Sequence, residues 1–464
     1  MTEPIVDIVV ATRPTPGEPR PYEFPPFERA RLANGLTVLT VHLPGRPLVG
    51  ASLILRNGAV DEPSAEGGAT VLSARALTEG TERHDAIALV EATERLGASL
   101  HADAGWDAYS VGVEVPATRL APALELLAEV VAQPTFPGSE VERIRDERLN
   151  DILQARADAR RRVEEAFSAT VYTPESPYHR AAAGTRATVA GLDRDRLRAA
   201  WLRGLDPETM TLIVAGDLTG LDPVHLAESL MGTWAASSSA GRPGAITAVS
   251  ALDGRRLLIV DKPGAPQTEI RVGHVGLPRR IADFHAVAVM GAILGGLFNS
   301  RLNMKLREEK GYTYGAHAGF DLRRAAGPFS ARAAVNTEVT APALADLVAE
   351  LERIRSERVT QAELRAARDF LIGVFPLRFE TPGPIIGALQ GMVIHELPDD
   401  ELATYRTHIE AVSADDVLTA ARAHLDLERV AAVMVGDASA IAGSLETAGF
   451  GPAEVIRDED GSAG

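Results

Sequence analysis

The 464-residue chain contains no cysteine. That absence excludes disulfides, thiolate metal sites and cysteine nucleophiles together. Positive charge is also scarce: 47 lysines and arginines stand against 64 aspartates and glutamates, a formal net charge of -17. Nucleic acid demands a basic face and an anionic membrane surface attracts one, so neither is expected as a partner. A peptide substrate remains compatible. No apolar run approaches the roughly 18 residues of a membrane span. Met1 to Arg20 carry acids and prolines but no basic patch followed by an apolar core, unlike a secretory signal. A cytoplasmic protein is the expectation.

Several catalytic motifs are missing as well. None of the eleven histidines lies three to five residues from another, so there is no local chelating pair. There is no G-x-S-x-G elbow for a serine nucleophile. Gly295-Gly296 fits neither a P-loop nor G-x-G-x-x-G, and nucleotide binding is unsupported.

What the chain does contain is a repeat. Gly35-Leu36-Thr37-Val38-Leu39 runs through an alternating apolar stretch to Pro44-Gly45, and Leu257-Leu258-Ile259-Val260 runs to Pro263-Gly264. The offset is 263 − 44 = 219. A different signature, Met210 to Asp217, returns as Val430 to Asp437, with 436 − 216 = 220 between the glycines. Two unrelated signatures with nearly one offset predict two like domains. Each opens with a strand, a Pro-Gly turn and another strand, and closes on an apolar strand ending in Gly-Asp. Between them, Leu120–Ala132 and the region of Ala343–Ile354 carry helical periodicity, and Tyr109–Val115 alternates as a strand. The fold class is therefore α+β, with two tandem homologous αβ domains. The boundaries fall at 27–234 and 246–450. A Pro-rich arm covers 1–26, a flexible linker by composition 235–245, and a polar tail 451–464. A duplicated pair of domains suits a scaffold and an enzyme equally.

Three stretches carry a family resemblance. Gly58-Ala59-Val60-Asp61-Glu62-Pro63, with Glu66-Gly67-Gly68-Ala69 and Leu77-Thr78-Glu79-Gly80-Thr81, resembles the first-helix region of pitrilysin/insulinase peptidases. Ser176-Pro177-Tyr178-His179 with Ala183-Gly184-Thr185 resembles a later loop of the same domain. Leu294 to Leu302 with Leu306 to Tyr314 is similar to the second-domain signature and is the most specific of the three. The resemblance implies a half clamshell that closes with a second half over unstructured peptides. It also implies the inverted zinc motif H-x-x-E-H, in which two histidines one helical turn apart chelate zinc and the glutamate acts as base.

Counted back from Gly80-Thr81, the motif positions hold Val71, Leu72, Ser73, Ala74 and Arg75. The family's third ligand, a glutamate on a later helix, falls at or near Asp151 (151 − 75 = 76). One carboxylate cannot hold zinc against water, and Arg75 sets a cation where the metal belongs. No metal ligand and no bound cofactor are expected in this chain.

Arg307 and Tyr314 remain, seven residues apart. The resemblance implies that they reach the partner's zinc site, where they orient the substrate backbone and donate to the oxygen that turns negative. An always-charged guanidinium suits that task. Outside the family context the same residues read as a solvated helix arginine and a packed tyrosine. Tyr312 is a rival for the role, but the spacing selects Tyr314. Gly295, Gly296 and Asn299 are candidate substrate contacts on a loop at the chamber wall, or a plain helix–loop junction. His101, Trp106 and Tyr109 lie where zinc-bearing relatives have an edge strand for the peptide; without the metal, packing is expected.

Two readings follow. The first is a subunit of a heterodimeric zinc metallopeptidase, inactive alone, partnered by a homologous H-x-x-E-H chain that holds the zinc. The second is an inert structural or interaction protein, like the respiratory-complex core proteins. Retention of the arginine–tyrosine pair favours the first, and a neighbouring reading frame with H-x-x-E-H would strengthen it.

Overall fold

The structure, a computed structural model, describes residues 20–241, 244–446 and 452–457. Its strands are β1 (Glu28–Arg31), β2 (Thr37–His42), β3 (Leu48–Leu55), β4 (Ser99–Ala104), β5 (Tyr109–Pro116) and β6 (Met210–Gly216) in the first domain. The second has β7 (Arg256–Asp261), β8 (Gln267–Val275), β9 (Ala316–Phe320), β10 (Pro328–Asn336), β11 (Ala431–Gly436) and β12 (Glu454–Ile456). The sheet orders are β1-β2-β6-β3-β5-β4 and β12-β7-β11-β8-β10-β9, the same path traced twice. Register agrees too: Val38 lies opposite Leu212 in one parallel pair and Leu257 opposite Ala432 in the other.

The two repeated signatures meet in space, which explains their common offset. Gly45 and Gly264 both take the left-handed conformation that glycine adopts at least cost, with φ of 78° and 72°. The backbone N–H of Gly45 donates to Asp217 at 3.0 Å, and that of Gly264 to Asp437 at 2.8 Å. The Gly-Asp strand end thus ties down the Pro-Gly turn in each half. The periodic segments form the expected helices, Leu120–Ala132 and Thr340–Ser356.

Sheet strands usually alternate when one face is wet. β6 and β11 instead are buried throughout and, Thr211 aside, apolar, because each sheet is covered on both faces. Met210, Leu212 and Val214 join the first domain's own helical core. Ile213 and Ala215 point the other way, against Ile385, Ile386 and Leu389 of helix Pro382–Ile394 from the second domain. The exchange is reciprocal. Val433 and Val435 of β11 meet Val163 and Phe167 of helix Ala159–Val171 from the first domain. Ion pairs close the junction, with Arg324 forked onto Asp61 at 3.1 and 3.2 Å.

Two segment readings change. Residues 454–456, read as part of a polar tail, form β12 parallel to β7. All three are exposed, so main-chain pairing rather than an apolar pattern makes this strand. Within the arm Phe24 is buried, its ring 5.0 Å from Phe379; residues 1–19 lie outside the described residues. The linker carries no helix or strand among its described residues. No helix of the described residues is long and apolar enough to cross a membrane.

Candidate functional site

The degenerate motif lies on helix Ala69–Ala76, whose N-terminus is held by a buried carboxylate. Glu62 accepts from the N–H groups of Gly68 and Thr70 and pairs with Arg180 at 2.8 Å. Burial pushes its carboxyl up, and Arg180 with the two N–H groups opposes that. Gly68 and Gly184 belong to two stretches that resemble the family, and these touch. A Cβ on Gly184 would stand 2.2 Å from the carbonyl oxygen of Gly67. On the helix itself Leu72, Ser73 and Ala74 are buried, and Ser73 Oγ shares a 2.7 Å hydrogen bond with the hydroxyl of Tyr109. Arg75 is exposed.

These residues do not fit zinc. Val71, Ala74 and Arg75 offer no ligand. Asp151, on helix Gly138–Ala157, is committed to Arg148 and to both Nη1 and Nη2 of Arg161, at 2.8 and 2.9 Å. The Arg161 hydrogen bonds hold its carboxyl below the usual range. Among the described residues no three metal-ligating side chains are grouped to hold an ion. The rings of His285 and His408 approach to 4.7 Å, a pairing across 123 residues (408 − 285). The nearest carboxylate, Glu401, is taken by Arg279 at 2.6 Å.

The second-domain signature is a rigid frame with an exposed edge. It holds two π-helical segments, Ala292–Gly296 and Asn303–Glu309, a geometry frequent at functional sites. Arg301, its side chain only 4% exposed, forks onto Glu363 at 2.7 and 3.2 Å. Buried Asn303 donates to the Leu297 carbonyl at 3.1 Å and accepts from the Ala316 N–H at 2.8 Å, joining the signature loop to β9. Tyr312 packs on the core. Tyr314, two residues on, is 95% exposed. Arg307 donates from Nε and Nη2 to Glu308 at 2.8 and 2.6 Å, and its guanidinium lies 3.8 Å over the Phe298 ring. No hydrogen bond joins Arg307 to Tyr314. Gly295 is buried where a Cβ would stand 2.1 Å from the Ala318 nitrogen, whereas Gly296 and Asn299 are exposed.

Of the first-domain residues singled out, Tyr109 is fully buried and Trp106 packs edge-on against Tyr178 at 5.1 Å. His101 lies exposed on the edge strand β4. Sequence reasoning missed Phe298, Asn303 and the Arg301–Glu363 pair. An aromatic two residues after Gly295-Gly296 was the available signal for Phe298; the other contacts leave no local pattern.

Comparison with known proteins agrees with this architecture. Residues 37–185 match the family model described as insulinase (peptidase family M16), and residues 191–371 match peptidase M16 inactive domain. The chain belongs to the insulinase family. An uncharacterized zinc protease of Mycobacterium bovis is 26% identical over 428 residues, 91% of this chain and 96% of the relative. The non-peptidase homolog YmxG of Helicobacter pylori is 22% identical and is aligned over 83% of this chain and 88% of its own. Among solved structures, a peptidase M16 inactive domain from Pseudomonas fluorescens superposes with a TM-score of 0.82 at 25% identity, covering 89% of this chain and 98% of its own. A protease from H. pylori superposes at 0.83 with 19% identity over 89% and 100%. In this insulinase-family member helix Ala69–Ala76 carries neither histidine nor glutamate. The stretch matched to the inactive-domain model contains Arg307 and Tyr314.

Proposed function

We propose that this chain is the non-zinc subunit of a heterodimeric insulinase-family metallopeptidase acting on unstructured peptides. It supplies Arg307 and Tyr314 in trans to the zinc site of a homologous H-x-x-E-H subunit. The observation that carries the reading is the exposure of Tyr314, 95%, at the edge of a frame pinned by Arg301–Glu363 and Asn303. A tyrosine kept for packing would be at least partly buried against the core, as Tyr312 is. No described residue hydrogen-bonds the Tyr314 hydroxyl. The names of relatives as zinc proteases support the protease link, and the match to an inactive domain supports a chain without its own catalytic metal.

In this reading the Arg307 fork donates to backbone carbonyls of the peptide. The Tyr314 hydroxyl donates to the oxygen that becomes negative at the tetrahedral stage. A preorganised donor there favours the transition state over the ground state. Exposed Gly296 and Asn299 line the approach as substrate contacts. Buried Gly295 acts through its backbone alone.

The test is turnover of an unstructured peptide by the complex reconstituted with its H-x-x-E-H subunit. Tyr314→Phe removes one donor and should lower kcat about 100- to 1,000-fold. Arg307→Lys should also be costly, since an ammonium cannot replace the planar fork. Thermal stability, assembly and one zinc per heterodimer should be unchanged, and this chain alone should bind none. Full turnover by both variants would favour the other reading, an inert structural protein, to which the name non-peptidase homolog lends support.

A further inference from the structure

Phe298 is a large apolar side chain left 75% exposed, and it belongs to none of the four apolar clusters of the molecule. The ring therefore adds nothing to the apolar core of its own chain. The turn is rigid because the Leu297 carbonyl accepts from both the Ser300 N–H (3.1 Å) and Asn303 Nδ2 (3.1 Å), and the Leu297 side chain is buried. What the ring touches is the guanidinium of Arg307, 3.8 Å from its centroid. On the same guanidinium, Nε and Nη2 both donate to Glu308. The Arg307 side chain is only 20% exposed as a result. One nitrogen, Nη1, has no hydrogen bond to any described residue.

We infer that Phe298 and Glu308 are positioning residues for Arg307: the ring fixes the plane of the guanidinium, the carboxylate fixes its rotation, and Nη1 is left facing outward as a preset donor. The inference deepens the reading above and rests on it for its catalytic meaning. An arginine free to sample its rotamers would lose side-chain entropy each time it gripped a peptide carbonyl. Holding the plane on an aromatic face removes most of that loss before substrate arrives. Phe298 therefore matters through Arg307 and not through a contact of its own.

Two measurements separate this inference from the function it rests on. In the isolated full-length chain, the rate at which phenylglyoxal modifies Arg307 is read by peptide mass spectrometry. Phe298→Ala should raise that rate about 2- to 30-fold, the range spanned by cation–π contacts from exposed to desolvated. Phe298→Tyr, which keeps the aromatic face, should retain the wild-type rate. Because the ring is mostly exposed, Phe298→Tyr should leave the thermal midpoint unchanged, and Phe298→Ala should cost only the ring–guanidinium contact. Equal modification rates in wild type and Phe298→Ala would overturn the positioning role whatever the activity. In the heterodimer, Phe298→Ala should lower kcat within the same range and have no further effect in an Arg307→Ala background. Additive losses in the double variant would make Phe298 an independent substrate contact and overturn the inference. If Arg307→Ala leaves kcat intact while Phe298→Ala still unmasks Arg307 to the reagent, the positioning stands and the catalytic reading falls.

Discussion

Arg301 and Glu363 are 62 residues apart, yet their fork sets where the exposed residues of the signature stand. Burial alone would push the Glu363 carboxyl up. Hydrogen bonds from Arg301, with those from the N–H and hydroxyl of Thr360, outweigh it and bring the pKa down to about 2. In the unfolded chain a glutamate titrates near 4.3, roughly. A depressed native pKa means that the stabilisation is complete above the unfolded value and disappears as pH falls toward 2. It amounts to about 3 kcal/mol at most. Urea midpoints of wild type and Glu363→Gln should therefore differ most above about pH 5 and converge toward about pH 2. A gap that stays constant over that interval would assign Glu363 an ordinary titration.

Elements of the signature are held together by close backbone approach. The π-helical turn Ala292–Gly296 brings Gly295 against β9, and β9 is entered by the loop that bears Tyr314. In Gly295→Ala the new Cβ would meet a backbone nitrogen at 2.1 Å, and backbone on both sides cannot yield cheaply. The expected cost is about 1–3 kcal/mol, as for other overpacked sites. Gly291, one turn earlier, is the contrast. Its φ is −59°, ordinary right-handed helix, and a Cβ there meets nothing within 4 Å. Gly291→Ala should stabilise by about 0.5–1 kcal/mol, since alanine is the better helix former. Thermal midpoints that move in opposite directions for these two substitutions would support the geometry. A shared direction would count against it.

Across the whole molecule the exchanged helices decide how it unfolds. Helix Ala159–Val171 covers the second sheet and helix Pro382–Ile394 covers the first. Either domain alone would expose one apolar sheet face, and each buried aliphatic or aromatic side chain on that face contributes roughly 1.5–3 kcal/mol. Two-domain chains often unfold in two steps. This one should melt in a single calorimetric transition, with van't Hoff and calorimetric enthalpies equal. Two resolved transitions would mean that the halves are stable apart. The exchanged helices hold Arg307 and Tyr314 of the second domain in a fixed relation to the first.

What the sequence by itself determined rests on short-range chemistry. The Pro-Gly turns, the Gly-Asp strand ends and the period of Leu120–Ala132 are local patterns, so two like αβ domains could be read from them. Loss of the zinc motif is equally local, because H-x-x-E-H draws two ligands and the base from one helix. The spacing of Arg307 and Tyr314 was legible for the same reason. Tertiary structure alone decided the rest. That β6 and β11 are buried on both faces because each domain lends a helix to the other follows from docking between segments 172 residues apart in one case (385 − 213) and 270 in the other (433 − 163). The stacking of Phe298 on Arg307, the Arg301–Glu363 fork and the β12 strand arise from contacts that carry no periodicity. An aromatic, a charge or a polar tail residue reads the same in sequence whether it meets solvent or a partner; only the folded chain brings the partner to it.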